Sequence, residues 1–239
     1  MFDVDSHYSS RPRLYEFIGR DIVQGHYDAS FPTEAEICER YRASRSVVRE
    51  AVKILNTLGV LESRPKVGTY ILPVSNWKLL DCSVIRFFDG RDISKKLFRS
   101  IGEFRLSIEP AAISFAVAKG SSQEIASLSQ QLEKMHAPSA SQSDVVSAHL
   151  AFHRAILVSS RNFIFTQFAD IVEFAIRYGI GHLPSVYQAE FNAQQRDDIL
   201  KAVKVRDAAA AEAALRRLLE SQLFHIDTID SGWGNDIAA

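Results

Sequence analysis

The chain has 239 residues, with 28 Lys and Arg against 29 Asp and Glu. Apolar residues make up 46% and charged residues 24%, which fits one large or two small globular domains and excludes a disordered chain. No apolar run approaches the roughly 18 residues of a membrane span. The N-terminus lacks the pattern of a signal peptide, and Cys38 and Cys82 form no CxxC. A reducing, cytoplasmic setting is therefore expected.

Over the first ~75 residues the pattern mixes helices with short strands. Leu14, Ile18 and Ile22 form one stripe of a helix ending near Gly25. Thr33 and Glu36 have the spacing of a capping box, which starts a second helix running to about Tyr41. After a break at Arg42-Ala43-Ser44, a third helix runs to about Leu58, with Gly59 ending it. Leu61-Glu62-Ser63 and Thr69-Tyr70-Ile71-Leu72 are short strand candidates, and Arg64 to Gly68 has hairpin-tip chemistry. Pro73 to Asn76 reads as a linker.

Beyond it, helical periodicity recurs near 77–88, 93–118, 121–136, 143–160, 162–181, 185–205 and 207–230. The breaks carry Gly90, Gly120, Pro138, Asn162, Gly181 and Pro184. The expected fold is mainly α. Residues 1–75 form a winged helix-turn-helix with a small β-hairpin, and 76–239 form an antiparallel all-α bundle.

Charge is unevenly spread. Between Arg40 and Gly68 stand seven basic residues and only Glu50 and Glu62 as acids. That excess suits either a phosphate-binding surface or a solvated helix face. Geometry sharpens the first reading. In the third helix Val48, Ala51, Val52 and Leu55 share one face, while Arg45, Arg49 and Lys53 form a stripe about 100° away. Ser46 lies on the edge of that stripe. A recognition helix needs one face anchored and a neighbouring face of long cationic donors. Lys66 and Gly68 stand at the wing tip, where Gly permits close backbone approach.

Pro32-Thr33-Glu34-Ala35-Glu36-Ile37, Ser44-Arg45-Ser46-Val47-Val48-Arg49-Glu50-Ala51, Leu58-Gly59-Val60-Leu61 and Val67-Gly68-Thr69-Tyr70 resemble the winged helix of GntR-family regulators. The resemblance covers Arg13 to Pro73. It implies operator contacts from Arg45, Ser46 and Arg49, with the wing from Lys66 to Gly68 entering the minor groove. Ser44, just before the third helix, and Lys53, on its cationic stripe, are further candidate DNA contacts. Ala35 departs from the pattern, since many relatives have Arg there.

The remainder is similar to the effector domain of the FadR-like subfamily. Arg105 to Glu109, His149 to His153 followed by Asn162, and Ile199 to Val203 followed by Asp207 carry the likeness. The linker from Asn76 to Asp81 is similar to that of sugar-acid regulators within it. In the subfamily this domain dimerises and encloses a small carboxylate, often beside a metal held by one Asp and three His. Relatives with the metal have Asp four residues before the first His, where this chain has His149. The two later family histidines align at Arg196 and Leu218. His153 alone matches, so no cofactor is predicted. A divalent metal would have to rest on His149 and His153, an incomplete set.

Read from the residues, His149 and His153 share an apolar helix face at i, i+4. They suit either a metal or ligand site, or a buried pair bonded to neighbours. Arg105 borders the stripe Leu97, Phe98, Ile101, Phe104, Ile108 and needs an anion, either Glu109 at i+4 or an effector carboxylate. The replacement hypothesis is that Arg196 and Arg105 clamp that carboxylate while His149 or His153 bonds its hydroxyls. Tyr178 has a polar tip able to reach a ligand, whereas Phe163, Phe165, Phe168 and Phe174 are expected in the core. His7, His26, His136, His182 and His225 match no ligand position.

The leading expectation is an effector-responsive transcription regulator, a repressor. It would be a homodimer on a palindromic operator, released by a small carboxylate and with no membrane partner. A ligand-independent architectural DNA binder and a metalloenzyme using the two histidines are the rival classes. The second lacks any motif for a general base or nucleophile.

Overall fold

A computed structural model describes residues 13–27, 30–135, 141–182, 193–230 and 233–234. His7, His136, Pro138, Pro184 and the start of the helix expected from 185 lie outside the described residues. The chain divides into two compact units, residues 1–94 with 234–239 and residues 95–233. Among the described residues no helix is long and apolar enough to cross a membrane.

The first unit contains α1 (Leu14–Val23), β1 (Ser30–Phe31), α2 (Glu34–Tyr41), α3 (Arg45–Thr57), β2 (Leu61–Arg64), β3 (Gly68–Ile71) and α4 (Cys82–Ile85). Ile18 and Ile22 of α1, Ile37 of α2, and Val48, Ala51 and Leu55 of α3 are buried together with Leu61 and Ile71 of the sheet. The expected capping box is present. Glu36 N donates to Thr33 Oγ1 at 3.4 Å, and Thr33 N donates to Glu36 Oε2 at 2.8 Å. Arg42, at φ 50°, ends α2 in the left-handed region and turns the chain into α3. Gly59, at φ 74°, ends the next turn, and a Cβ there would lie 2.3 Å from the Asn76 carbonyl oxygen.

The sheet holds three strands rather than the hairpin expected. β3 lies between β1 and β2, antiparallel to both, with Phe31 opposite Thr69 and Leu61 opposite Ile71. Two residues are too short a run for alternation to register, so β1 escaped the sequence pattern.

The segment after the wing also differs. A helix was expected over 77–88, but only α4 and a 3₁₀ turn at Arg86–Phe88 form. The amides of Trp77 and Lys78 are taken by Val74 O and Leu58 O, so helical bonding starts only at Asp81, whose side chain caps Ser83 N at 2.8 Å. Trp77, Val84, Phe87 and Phe88 are buried in this unit. The Phe87 ring covers Gly19 so closely that a Cβ on Gly19 would meet it at 2.7 Å. This packing carries the first unit on to Ser94, beyond residue 75.

The second unit is helical: α5 (Lys95–Lys119), α6 (Ser122–Lys134), α7 (Gln142–Ser159), α8 (Phe163–Thr166), α9 (Ala169–His182), α10 (Ala193–Lys204) and α11 (Ala208–Thr228). α5 packs along α11 and α7, α6 against α7 and α10, and α9 against α7 and α5. Ile113, Val117, Leu128, Leu132, Phe152, Ile156, Val172, Ile176 and Leu215 make its core. Capping boxes start α6 at Ser121/Glu124 and α7 at Ser141/Asp144. The helix expected over 162–181 is two helices. The Asn162 side chain accepts from Ile164 N and Phe165 N at 3.0 and 3.4 Å, nucleating the four-residue α8 before the chain turns at Gln167-Phe168. That short helix points Phe163 outward at 88% exposure, against the expectation of a core residue.

Candidate functional site

The two short helices α2 and α3 present the cationic stripe as the periodicity required. Arg45, Ser46, Arg49 and Lys53 are exposed, with Val48, Ala51 and Leu55 beneath them. Ser44 precedes α3, and its hydroxyl bonds that of Ser46 at 3.0 Å. Arg49 does not stand alone. Its Nε donates to Glu34 Oε2 of α2 at 2.9 Å. On the wing, Arg64 is paired with Glu62 at 2.8 Å. On α2, Arg40 lies over the Tyr27 ring at 4.6 Å. Among the described residues, Arg45, Lys53 and Lys66 form no ion pair. Lys66 sits at φ 65° and Gly68 at φ 126°, making the tight tip that projects Lys66 and Val67 into solvent.

In the helical unit the expected site residues are only partly gathered. Arg105 and Glu109 lie one turn apart on α5, facing His153 of α7 and Gln222 of α11. Arg105 Nε donates to Glu109 Oε1 at 2.7 Å, and Nη1 donates to Gln222 Oε1 at 3.3 Å. His153 Nδ1 lies 2.5 Å from Glu109 Oε2. All four side chains are buried, as is His149 one turn before His153. Glu109 is thus an anionic partner of Arg105 within the chain.

Burial alone would raise the Glu109 carboxyl, but Arg105 and His153 outweigh it and hold the group at about 2. Burial lowers His153, with Arg105 adding to the effect against the pull of Glu109. The network therefore holds one guanidinium, one carboxylate and one neutral imidazole, a balanced set in a low-dielectric interior.

Arg196 is apart from this network. On α10, largely buried, it donates from Nε and Nη2 to Asp197 Oδ1 at 3.2 and 3.0 Å. Tyr178 of α9 is buried in an aromatic cluster, stacked on His182 at 4.3 Å and tilted against Phe98 at 5.0 Å. Leu218 is a buried core residue of α11. The metal set that the family resemblance implies does not fit these residues. Two of its four positions hold a guanidinium and a hydrocarbon, and among the described residues no group of three His, Cys, Asp or Glu could hold a metal ion.

Sequence reasoning missed Glu34 and Gln222. Glu34 leaves no local signal, since its partner is 15 residues away. Gln222 falls at helical spacing on the α11 face of Leu215, Leu218, Leu219 and Ile226, and an amide on that apolar face was the available clue.

Comparison with known proteins places these observations in a family. Residues 11–71 match the model of the bacterial regulatory proteins of the gntR family, and residues 100–221, about half the chain, match the FCD domain. The chain belongs to this family: it is a GntR-type DNA-binding transcription regulator with an FCD effector domain. It is 25% identical to the galactonate operon transcriptional repressor of Escherichia coli over 87% of this chain and 93% of that one. It is 27% identical to the Uxu operon transcriptional regulator of the same species, covering 89% and 86%. Among solved structures it shares its fold with Lar, which controls the expression of the Listeria monocytogenes agr system and mediates virulence. The TM-score is 0.63 at 15% identity, covering 95% of this chain and all of that one.

Proposed function

We propose that this protein is an effector-responsive repressor of a catabolic operon for a sugar acid or related hydroxy acid. The first ~75 residues read DNA, and the remainder, 76–239, binds effector and dimerises. The observation that carries the reading is the exposed Arg45–Arg49–Lys53 stripe on the second helix of a helix-turn-helix. Ser44, Ser46, Lys66 and Gly68 complete the operator contacts, α3 in the major groove and the wing in the minor groove. One such module offers few cationic contacts, so a homodimer on a palindrome supplies the affinity that cellular salt demands. The work takes place in the cytoplasm.

The effector sits in the helical unit beside Arg105, His149 and His153, with Arg196 and Tyr178 bordering it. Its binding shifts the dimer towards a form with low operator affinity, and the coupling is reciprocal. The names of the relatives, the galactonate operon repressor and the Uxu operon regulator, support the effector class. The test is an operator-release screen of aldonates, uronates and short hydroxy acids against the full chain. Release by one class is expected. Stable operator binding with no response to any of them would favour a ligand-independent architectural role.

A further inference from the structure

The buried chain His153–Glu109–Arg105–Gln222 ends in two atoms without a hydrogen-bond partner, Nε2 of His153 and Nε2 of Gln222. Native interiors rarely leave such groups unmet, so each end points to something absent from the chain itself.

The chemistry of each end is fixed from inside. An ionised carboxylate only accepts, so the hydrogen between Glu109 and His153 sits on Nδ1. The neutral imidazole then turns a lone pair outward at Nε2, and that end accepts. A guanidinium only donates, so Gln222 must turn Oε1 to Arg105 and its NH₂ outward. That end donates. Within the chain the charges of Arg105 and Glu109 already balance, so neither calls for a further ion.

Three candidate occupants can be weighed on this pair. A divalent cation suits the His153 lone pair and is repelled by the amide hydrogens of Gln222. A carboxylate suits Gln222 and is repelled by the lone pair. Hydroxyl groups, which donate and accept, satisfy both ends. We infer that His153 Nε2 and the Gln222 amide bind hydroxyl groups of a polyhydroxylated effector directly, without a metal. The inference rests on the effector role proposed for the helical unit and names what that site reads. Glu109 is a positioning residue, since it fixes the imidazole tautomer that presents the lone pair. The effector's carboxylate is held elsewhere, because Arg105 is already neutralised.

The experiment uses the full chain purified without a metal column. Calorimetry compares four- to six-carbon aldonates with their alditols and with straight-chain carboxylates of the same length. At least one aldonate should bind, its alditol more weakly, and the carboxylate lacking hydroxyls not at all. Gln222→Met should weaken the aldonate about tenfold, the scale of one hydrogen bond, while ligand-free operator binding stays intact. In ¹⁵N-histidine spectra, His153 Nε2 should be unprotonated and should shift when the aldonate is added. The inference is overturned if the plain carboxylate binds as well as the aldonate, or if a stoichiometric metal is needed for binding. Aldonate binding with His153 unmoved and Gln222→Met unaffected also overturns it, leaving the ends to ordered water while the effector reading survives. If nothing in the panel binds, this inference and the proposed effector class fall together, and operator binding by the same sample keeps the DNA-reading assignment separate.

Discussion

Arg49 Nε on α3 donates to Glu34 Oε2 on α2 at 2.9 Å, so the middle cation of the reading stripe is tied to the other helix of the helix-turn-helix. Both groups are exposed, and the pair contributes little to stability. Under the proposed operator-reading role, its effect falls on DNA, through the direction and net charge of the guanidinium. Glu34→Gln removes an anion from the surface proposed to meet phosphates. Affinity for non-specific DNA should rise and the ratio of specific to non-specific affinity should fall, as measured by fluorescence anisotropy at two salt concentrations. An unchanged ratio would show that the pair plays no part in reading sequence.

Arg45→Ala and Arg49→Ala should each weaken operator binding, by about 1–3 kcal/mol for a lost bidentate base contact. A lost phosphate contact would instead flatten the salt dependence. Neither side chain is part of the core, so circular dichroism and melting should be unaltered. Wild-type affinity in both variants would remove α3 as the recognition helix.

The helix-turn-helix and its exposed cationic stripe were legible in the sequence because they depend on local spacing. Thr33 and Glu36 are three residues apart, the stripe on α3 repeats at four, and both are read from one helix at a time. What was not legible depends on distant partners. A guanidinium bordering an apolar stripe needs an anion, but i+4 spacing alone does not decide between Glu109 and a ligand. The third member, Gln222, is 117 residues away. Segment 77–88 has helical periodicity, yet the Leu58 carbonyl captures the Lys78 amide, a tertiary bond that no window contains. β1 is visible only through its pairing with β3.

That same segment sets how far the first unit must extend. Trp77, Phe87 and Phe88 are buried in it, with Trp77 Nε1 donating to Leu72 O at 2.8 Å. Each buried aromatic contributes on the order of 1.5–3 kcal/mol. A fragment ending at residue 75 loses all three, whereas one ending at 94 keeps them. The longer fragment should melt cooperatively at a clearly higher temperature, by on the order of 10 °C or more. Equal melting temperatures would mean that 76–94 only connects the units.

Acid should loosen the helical unit in two stages. The His153 imidazole is held below its ordinary 6.5, so the unfolded chain takes up a proton that the fold resists. Its contribution is full above 6.5 and declines as pH falls beneath that. The Glu109 carboxyl is held at about 2 against 4.5 when free, so its contribution is full above 4.5 and is lost between 4.5 and about 2. Melting temperature followed from pH 8 to 3 should therefore fall first below 6.5 and more steeply below 4.5. His153→Gln should remove the upper limb. A flat profile down to pH 4.5 in the wild type would contradict the buried neutral imidazole.

The last prediction asks whether the residues at the family's metal positions explain the lack of fit. In the register that the family resemblance implies, His149 stands where metal-binding relatives carry Asp, and Arg196 and Leu218 stand where they carry His. His153 alone keeps its ligand, and Glu109 already holds its other ring nitrogen at 2.5 Å. That carboxylate contact is the kind of outer partner that orients a ligating imidazole, so His153 itself is not the obstacle. The obstacle is a permanent positive charge on α10 and a buried hydrocarbon on α11. Restoring the set with His149→Asp, Arg196→His and Leu218→His should create a four-ligand N/O set suited to zinc. The triple variant should hold about one equivalent of metal through desalting and melt at a higher temperature with metal than with chelator, while the wild type shows neither. Arg196→His alone should not suffice, because Leu218 still leaves the set one ligand short. Stoichiometric metal in wild-type protein, or none in a folded triple variant that still binds operator, would mean that the alignment of Arg196 and Leu218 with the family histidines is out of register.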